Sequence, residues 1–205
     1  RPRAMNRHWL LAGAALLVAA GPPPSRSGPA SDAANTVDIH AGTVSGTALI
    51  NVAAGNSNQQ ANAGALAASN GYGSALVVLD QNAGDAADSA GRVTTSIAAG
   101  SFAGSAGWLA INGAAGSGNQ QANIAAIAIG TTSAALSDTA LSQARASHEP
   151  TASLDDEGDV HERSVAIGNG AFANSTGLIQ VSLIGGDRNS SANTFALSAT
   201  DGTIP

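Results

Sequence analysis

The 205-residue chain is 43% hydrophobic but only 3% aromatic and 11% charged, and with 25 glycines beside it most of that apolar content is alanine. Its formal charge is −6, all eight of its cations are arginine, and it has no cysteine. An acidic chain has no electrostatic footprint for DNA, RNA or anionic lipid, and one without cysteine offers no disulfide framework, thiolate metal site or thiol nucleophile.

Residues 1–34 read as a signal peptide with a Pro-rich leader. Met5 stands as the start, Arg7 and His8 form a short basic region, and residues 9–20 (WLLAGAALLVAA) make an apolar run of 12. A bilayer needs about 20 apolar residues, so this run has the length of a signal-peptide core instead. Cleavage falls after Ala20 or within 30–34. The expectation is a secreted chain, extracellular or at the cell surface, without stable membrane insertion.

Behind the leader comes an internal repeat. Residues 46–68 read GTALINVAAGNSNQQANAGALAA, residues 107–129 GWLAINGAAGSGNQQANIAAIAI, and residues 177–199 GLIQVSLIGGDRNSSANTFALSA. Gly46, Gly107 and Gly177 coincide without gaps, as do Gly55, Gly116 and Gly186. Each copy follows a shorter alternating piece: TVDIHAG, VTTSIAAG or RSVAIGNG. Repeat 1 then spans 35–69, repeat 2 92–130 and repeat 3 163–199, with linker 1 at 70–91, an acidic linker 2 at 131–162 and a tail at 200–205.

Within a unit the apolar period is two, which is the period of a strand. Strands are expected near 36–41, 47–54 and 60–68 in repeat 1, and SALVVLD at 74–80 could add another. Ile50 and Val52 share one face, whereas Leu49 and Asn51 take the other. Ile50, Leu66, Ile111, Ile127, Val181 and Leu197 are the candidate core aliphatics. Linker 2 is expected to be a solvated spacer with at most a weak helix near 133–146. The predicted fold is all-β: a β-solenoid of three stacked repeat rungs with two non-repeat linkers.

One unit alone is poor in bulky side chains and leaves its strand edges unpaired, so it must stack. Stacking also accounts for the polar residues. Equivalent amides above one another hydrogen-bond in a column. The candidate stacking residues are Asn51, Asn58, Gln59, Gln60, Asn62, Asn112, Asn119, Gln120, Gln121, Asn123, Asn189 and Asn193. Turn formation alone is the competing role for the corner asparagines, although turns do not ask for glutamine. No capping unit is recognised on either side of the repeats.

The triplet of units carrying INxAAGxxNQQANxxAxA, spaced by two variable linkers behind a signal peptide, resembles the Fap-type functional amyloid subunits of bacterial biofilms. The resemblance covers the repeats. Repeat 3 departs from it with SSAN at 190–193, and the Cys-x-x-Cys motif of the family is absent. It implies self-association into fibres, other fibre subunits as partners and passage through an outer-membrane export pore. RSVAIGNGAFANSTG at 163–177 also resembles the head repeat of trimeric autotransporter adhesins, implying a surface adhesin module with a ligand-binding β-roll.

No nucleophile elbow, phosphate loop or dinucleotide motif is present, so neither catalytic residues nor cofactors are expected. The run DDEGDVHE could hold a divalent cation through Asp155, Asp156, Asp159 and His161. It lacks EF-hand spacing and reads better as a solvated linker, so no metal is expected.

Overall fold

The computed structural model of the chain describes residues 34–69, 74–83, 91–130, 135–136, 140–145 and 162–200. These residues form strands and turns, with no helix among them. Repeat 1 contributes β1 (Ala34–Ile39), β2 (Ser45–Ala54) and β3 (Gln59–Ala68). Linker 1 contributes β4 (Ser74–Ala75) and β5 (Val78–Ala83). Repeat 2 follows with β6 (Arg92–Ile97), β7 (Ala106–Ala115) and β8 (Gln120–Gly130), then linker 2 with β9 (Ala135–Leu136) and β10 (Ala140–Arg145). Repeat 3 closes the series with β11 (Arg163–Ile167), β12 (Thr176–Gly185) and β13 (Ser190–Thr200).

The described strands form five sheets, all parallel. Three have three strands, in the orders β1–β6–β11, β2–β7–β12 and β3–β8–β13; two have two, β4–β9 and β5–β10. A parallel pair needs a long crossover between its strands, and here one whole copy of the sequence supplies it. The register matches the sequence alignment residue for residue: Ile50 pairs with Ile111 and Ile111 with Val181, while Asn62 pairs with Asn123 and Asn123 with Asn193.

The sheets pack in layers. The β1–β6–β11 sheet lies on one face of β2–β7–β12, and between them sits the main apolar core of Val37, Ile39, Val93, Ile97, Leu109 and Ile111. The opposite face of the middle sheet carries Asn51 and Asn112 and meets β3 and β8 through amide hydrogen bonds. The far face of β8 presents Ala122, Ile124, Ala126 and Ala128, covered by Ala75 and Val77 of the first linker. Ala75 packs with Ala126 and Ala128, and Val77 with Ala122 and Ile124.

Two expectations need correction. The helix expected near 133–146 is not formed at Ala135–Leu136 or Ala140–Arg145, which are strands paired in parallel with Ser74–Ala75 and Val78–Ala83. A short apolar run does not distinguish helix from strand by periodicity, and here the partner strand decides. Both linkers therefore carry sheet. Leu66 and Leu197 are not core residues: they are 58% and 42% exposed. Alternation puts Leu66 on the face shared with Gln60 and Asn62, at the end where the opposing β2 begins with Ser45 and Gly46, and Leu197 on the corresponding face of β13, at the end where β12 begins with Thr176 and Gly177; neither start offers a large side chain to cover them. Of the remaining expected core aliphatics, Ile111 is fully buried, and Ile50, Ile127 and Val181 are half-buried.

Candidate functional site

Each copy turns from its middle strand to its last through a Gly–x–x–Asn corner: 55–58, 116–119 and 186–189. Gly55, Gly116 and Gly186 hold φ of 104°, 111° and 138°. They also stack. A Cβ on Gly55 would lie 2.1 Å from the carbonyl oxygen of Gly116, and one on Gly116 would lie 2.0 Å from that of Gly186. Only glycine meets both demands, positive φ and direct backbone contact with the next copy. A Cβ on Gly107 or Gly177 would stand just as close to the preceding copy, 2.1 Å from Gly46 O and 2.0 Å from Gly107 O.

The corner asparagines join these turns. Asn119 donates from its side chain to Asn58 Oδ1 at 3.0 Å, and Asn189 to Asn119 Oδ1 at 3.1 Å. The backbone N–H groups of Asn119 and Asn189 donate to the same two oxygens, both at 3.0 Å. Asn58 and Asn119 in turn donate to Gly116 O and Gly186 O, each at 2.8 Å. One side chain thus satisfies its own turn and the turn above.

Between the middle and last strands lies a second set of amides. Asn112 donates to Asn51 Oδ1 and Asn62 Oδ1, both at 3.0 Å. Asn123 donates to Asn112 Oδ1 at 2.9 Å and Asn62 Oδ1 at 3.0 Å, and Asn193 donates to Asn123 Oδ1 at 2.8 Å. Gln60 donates to Gln121 Oε1 at 2.6 Å. In repeat 3 the column narrows: Gln121 donates to Ser182 Oγ at 2.9 Å, and Ser182 to Ser191 Oγ at 3.1 Å. Asn112, Asn119, Gln121 and Asn123 are fully buried. Buried amides without partners would be costly, so these contacts specify the register as well as satisfying polarity.

Gln59 and Gln120 belong elsewhere. Alternation turns them to the far face of their sheet, where Gln59 donates to Asn82 O at 2.5 Å and Gln120 to Gln81 O at 3.2 Å. They tie the repeats to the first linker, and their mutual contact is long, 3.4 Å.

Several participants escape a reading based on Asn and Gln columns. Phe102 and Phe172 stack with ring centroids 5.3 Å apart and planes 3° from parallel. Their common place in VTTSIAAGSFAGSAG and RSVAIGNGAFANSTG was the available signal. Asp187 accepts from the backbone of Ser117 at 2.7 Å and from Arg163 at 2.9 Å. Asp38 accepts from Ser96 Oγ at 2.7 Å and contacts His40 at 2.6 Å. These two hydrogen bonds, that of Ser96 foremost, hold the Asp38 carboxyl below its ordinary pKa.

Among the described residues no three His, Cys, Asp or Glu side chains come together to hold a metal ion. Asp155, Asp156, Asp159 and His161 lie outside the described residues, as does the leader up to residue 33. No described helix is long and apolar enough to cross a membrane. The family of functional amyloid proteins FapB/FapC matches residues 21–200 of the chain. No curated protein and no solved structure gives a significant match.

Proposed function

Since that match spans most of its length, the chain belongs to the FapB/FapC family of functional amyloid proteins, and we propose that it is a secreted structural subunit that self-assembles into extracellular biofilm fibres. In this reading the three repeats are rungs of a β-solenoid, and the Asn and Gln columns are the stacking ladder. The partners are other copies of the chain, other fibre subunits and an outer-membrane export pore met on the way out.

The observation that carries the proposal is the pairing of equivalent residues, 61 and then 70 positions apart, by side-chain amides as well as by backbone. Such columns have no natural end: whatever repeat 2 does to repeat 3, repeat 3 can do to another repeat. Repeats 1 and 3 supply the outermost strands of all three large sheets, and open parallel edges template further strands.

The test is incubation of the mature chain followed by electron microscopy and fibre diffraction. Fibres with reflections near about 4.8 Å and about 10 Å are expected. A chain that stays monomeric or forms a discrete trimer at high concentration, and binds a ligand, would instead be the adhesin module.

A further inference from the structure

The three large sheets do not end flush. β1 packs against both β2 and β7, and β6 against both β7 and β12, whereas β11 packs against β12. The last strands follow the same stagger: β3 packs against β2 and β7, β8 against β7 and β12, and β13 against β12. At the repeat 3 end β11 and β13 therefore overhang a recessed β12. At the repeat 1 end β2 projects beyond β1 and β3.

Exposure records this step. Val37 and Ile39 in repeat 1 are 2% and 6% exposed, and Ile97 in repeat 2 is 1% exposed, yet Val165 and Ile167 of β11 are 50% and 55% exposed. On the β13 side of that recess an open hollow of about 550 Å³ is lined by residues 178–181 of β12 and 192–195 of β13.

We infer that subunits join head to tail as a tongue in a groove, β2 of one molecule seating on β12 of the next, between its β11 and β13. The inference rests on the fibre reading and adds its polarity and contact residues. Its occupant is a second copy because the contacts inside the molecule extend onto one. Ile39 lies 3.4 Å from where a Cβ on Gly113 would stand; the register makes Ile97 over Leu183 the next such pair and Ile167 over Val52 of the neighbour the one after it. Thr95 donates to Ile184 O at 2.6 Å, and a single repeat step from that contact brings Val165 to the neighbour's Ala53. Asn189, following Asn58 and Asn119, reaches the carbonyl of the neighbour's Gly55.

Side-chain volume selects the same order. Trp108 lies so close over Gly64 that an added Cβ would stand 2.0 Å from its ring. The register sets Leu178 over Ala125 in the same relation, and Thr47 of the next molecule over Phe195. Large faces small each time: Trp with Gly, Leu with Ala, Thr with Phe. A junction of repeat 3 with another repeat 3 would set Leu178 against Phe195 and leave no tongue for the groove.

The chain has no cysteine of its own, so the double variant Val52→Cys with Ile167→Cys reports the junction. Its fibres, grown under reduction and then oxidised, should run as a ladder of covalent multimers on a non-reducing gel, while oxidised soluble chain stays monomeric. Fibres that yield only monomer overturn the tongue and groove but leave the fibre reading standing; wild type that forms no fibres sinks the fibre reading itself. Should the double variant alone fail to assemble, Val165→Lys with Ile167→Lys decides. With its tongue intact and its groove charged, it should cap wild-type seeds and slow their elongation at least tenfold when added as a minor component. Ala166→Lys, on the opposite, exposed face of β11, should elongate like wild type. Undiminished elongation with the first variant, or equal inhibition by the second, overturns the inference.

Discussion

Gln60 donates to Gln121 Oε1 at 2.6 Å across 61 residues of sequence, and Gln121 passes the contact on to Gly113 O, Ser182 O and Ser182 Oγ. The two amides are unequal. Gln121 is fully buried, whereas Gln60, at the repeat 1 end, is half-buried. Gln121→Leu leaves buried acceptors without a donor, each worth roughly 1–3 kcal/mol. It should therefore destabilise the soluble chain markedly more than Gln60→Leu in denaturant unfolding. The double replacement should also slow fibre elongation, followed by dye binding; unchanged kinetics would remove the amide column from the assembly mechanism.

Gly116 should tolerate no side chain. Gly116→Ala forces an L-residue to φ 111° with its Cβ 2.0 Å from Gly186 O. The backbone strain alone is of order 1–3 kcal/mol, and the clash adds to it. Gly42→Ala is the control, because nothing lies within 4 Å of its Cβ. Thermal unfolding should separate the two variants by several degrees; equal melting temperatures would contradict the close stacking of the corners.

Phe102 is fully buried and Phe172 half-buried, although their rings stack on one another. Phe102→Ala should cost about 3–5 kcal/mol, as large-to-small changes in tight cores do. Phe172→Ala should cost less because part of its ring is already in water. The reverse order of denaturation midpoints would show that the outer ring carries the packing.

Asp38 makes acid sensitivity testable. Its folded pKa lies below the ordinary value because Ser96 and His40 bind the carboxylate. Its contribution is therefore present above the unfolded pKa, about 3.9, and is lost as pH falls through the lower folded value. Ser96→Ala should move the Asp38 carboxyl upward in an NMR titration and weaken its share of stability at neutral pH. A titration that does not move would show that Ser96 does not hold the carboxylate.

The linker strands predict a dependence that composition does not. Val77 is 8% exposed against the fully buried Ala122 and Ile124. Val77→Asp puts a charge into this alanine-rich contact and should destabilise by several kcal/mol, whereas Leu66→Ser, at a residue 58% exposed, should change stability by less than about 0.5 kcal/mol. If both are silent, the first linker is a spacer.

Read alone, the sequence determines the period and the equivalences. Two-residue alternation marks the strands, and Gly46, Gly107 and Gly177, like Asn62, Asn123 and Asn193, align without gaps because one backbone shape is used three times. Only the tertiary structure decides which face of each strand is the core. Alternation assigns residues to two faces without saying what covers either. Hence Leu66 and Leu197, large and well aligned, stand exposed, while Ala126 and Ala128 are buried beneath a linker strand. The pairing of β4 with β9 and of β5 with β10 is long-range in the same way. Neither segment reveals its partner, because a parallel sheet draws its stability from a strand some 60 residues distant.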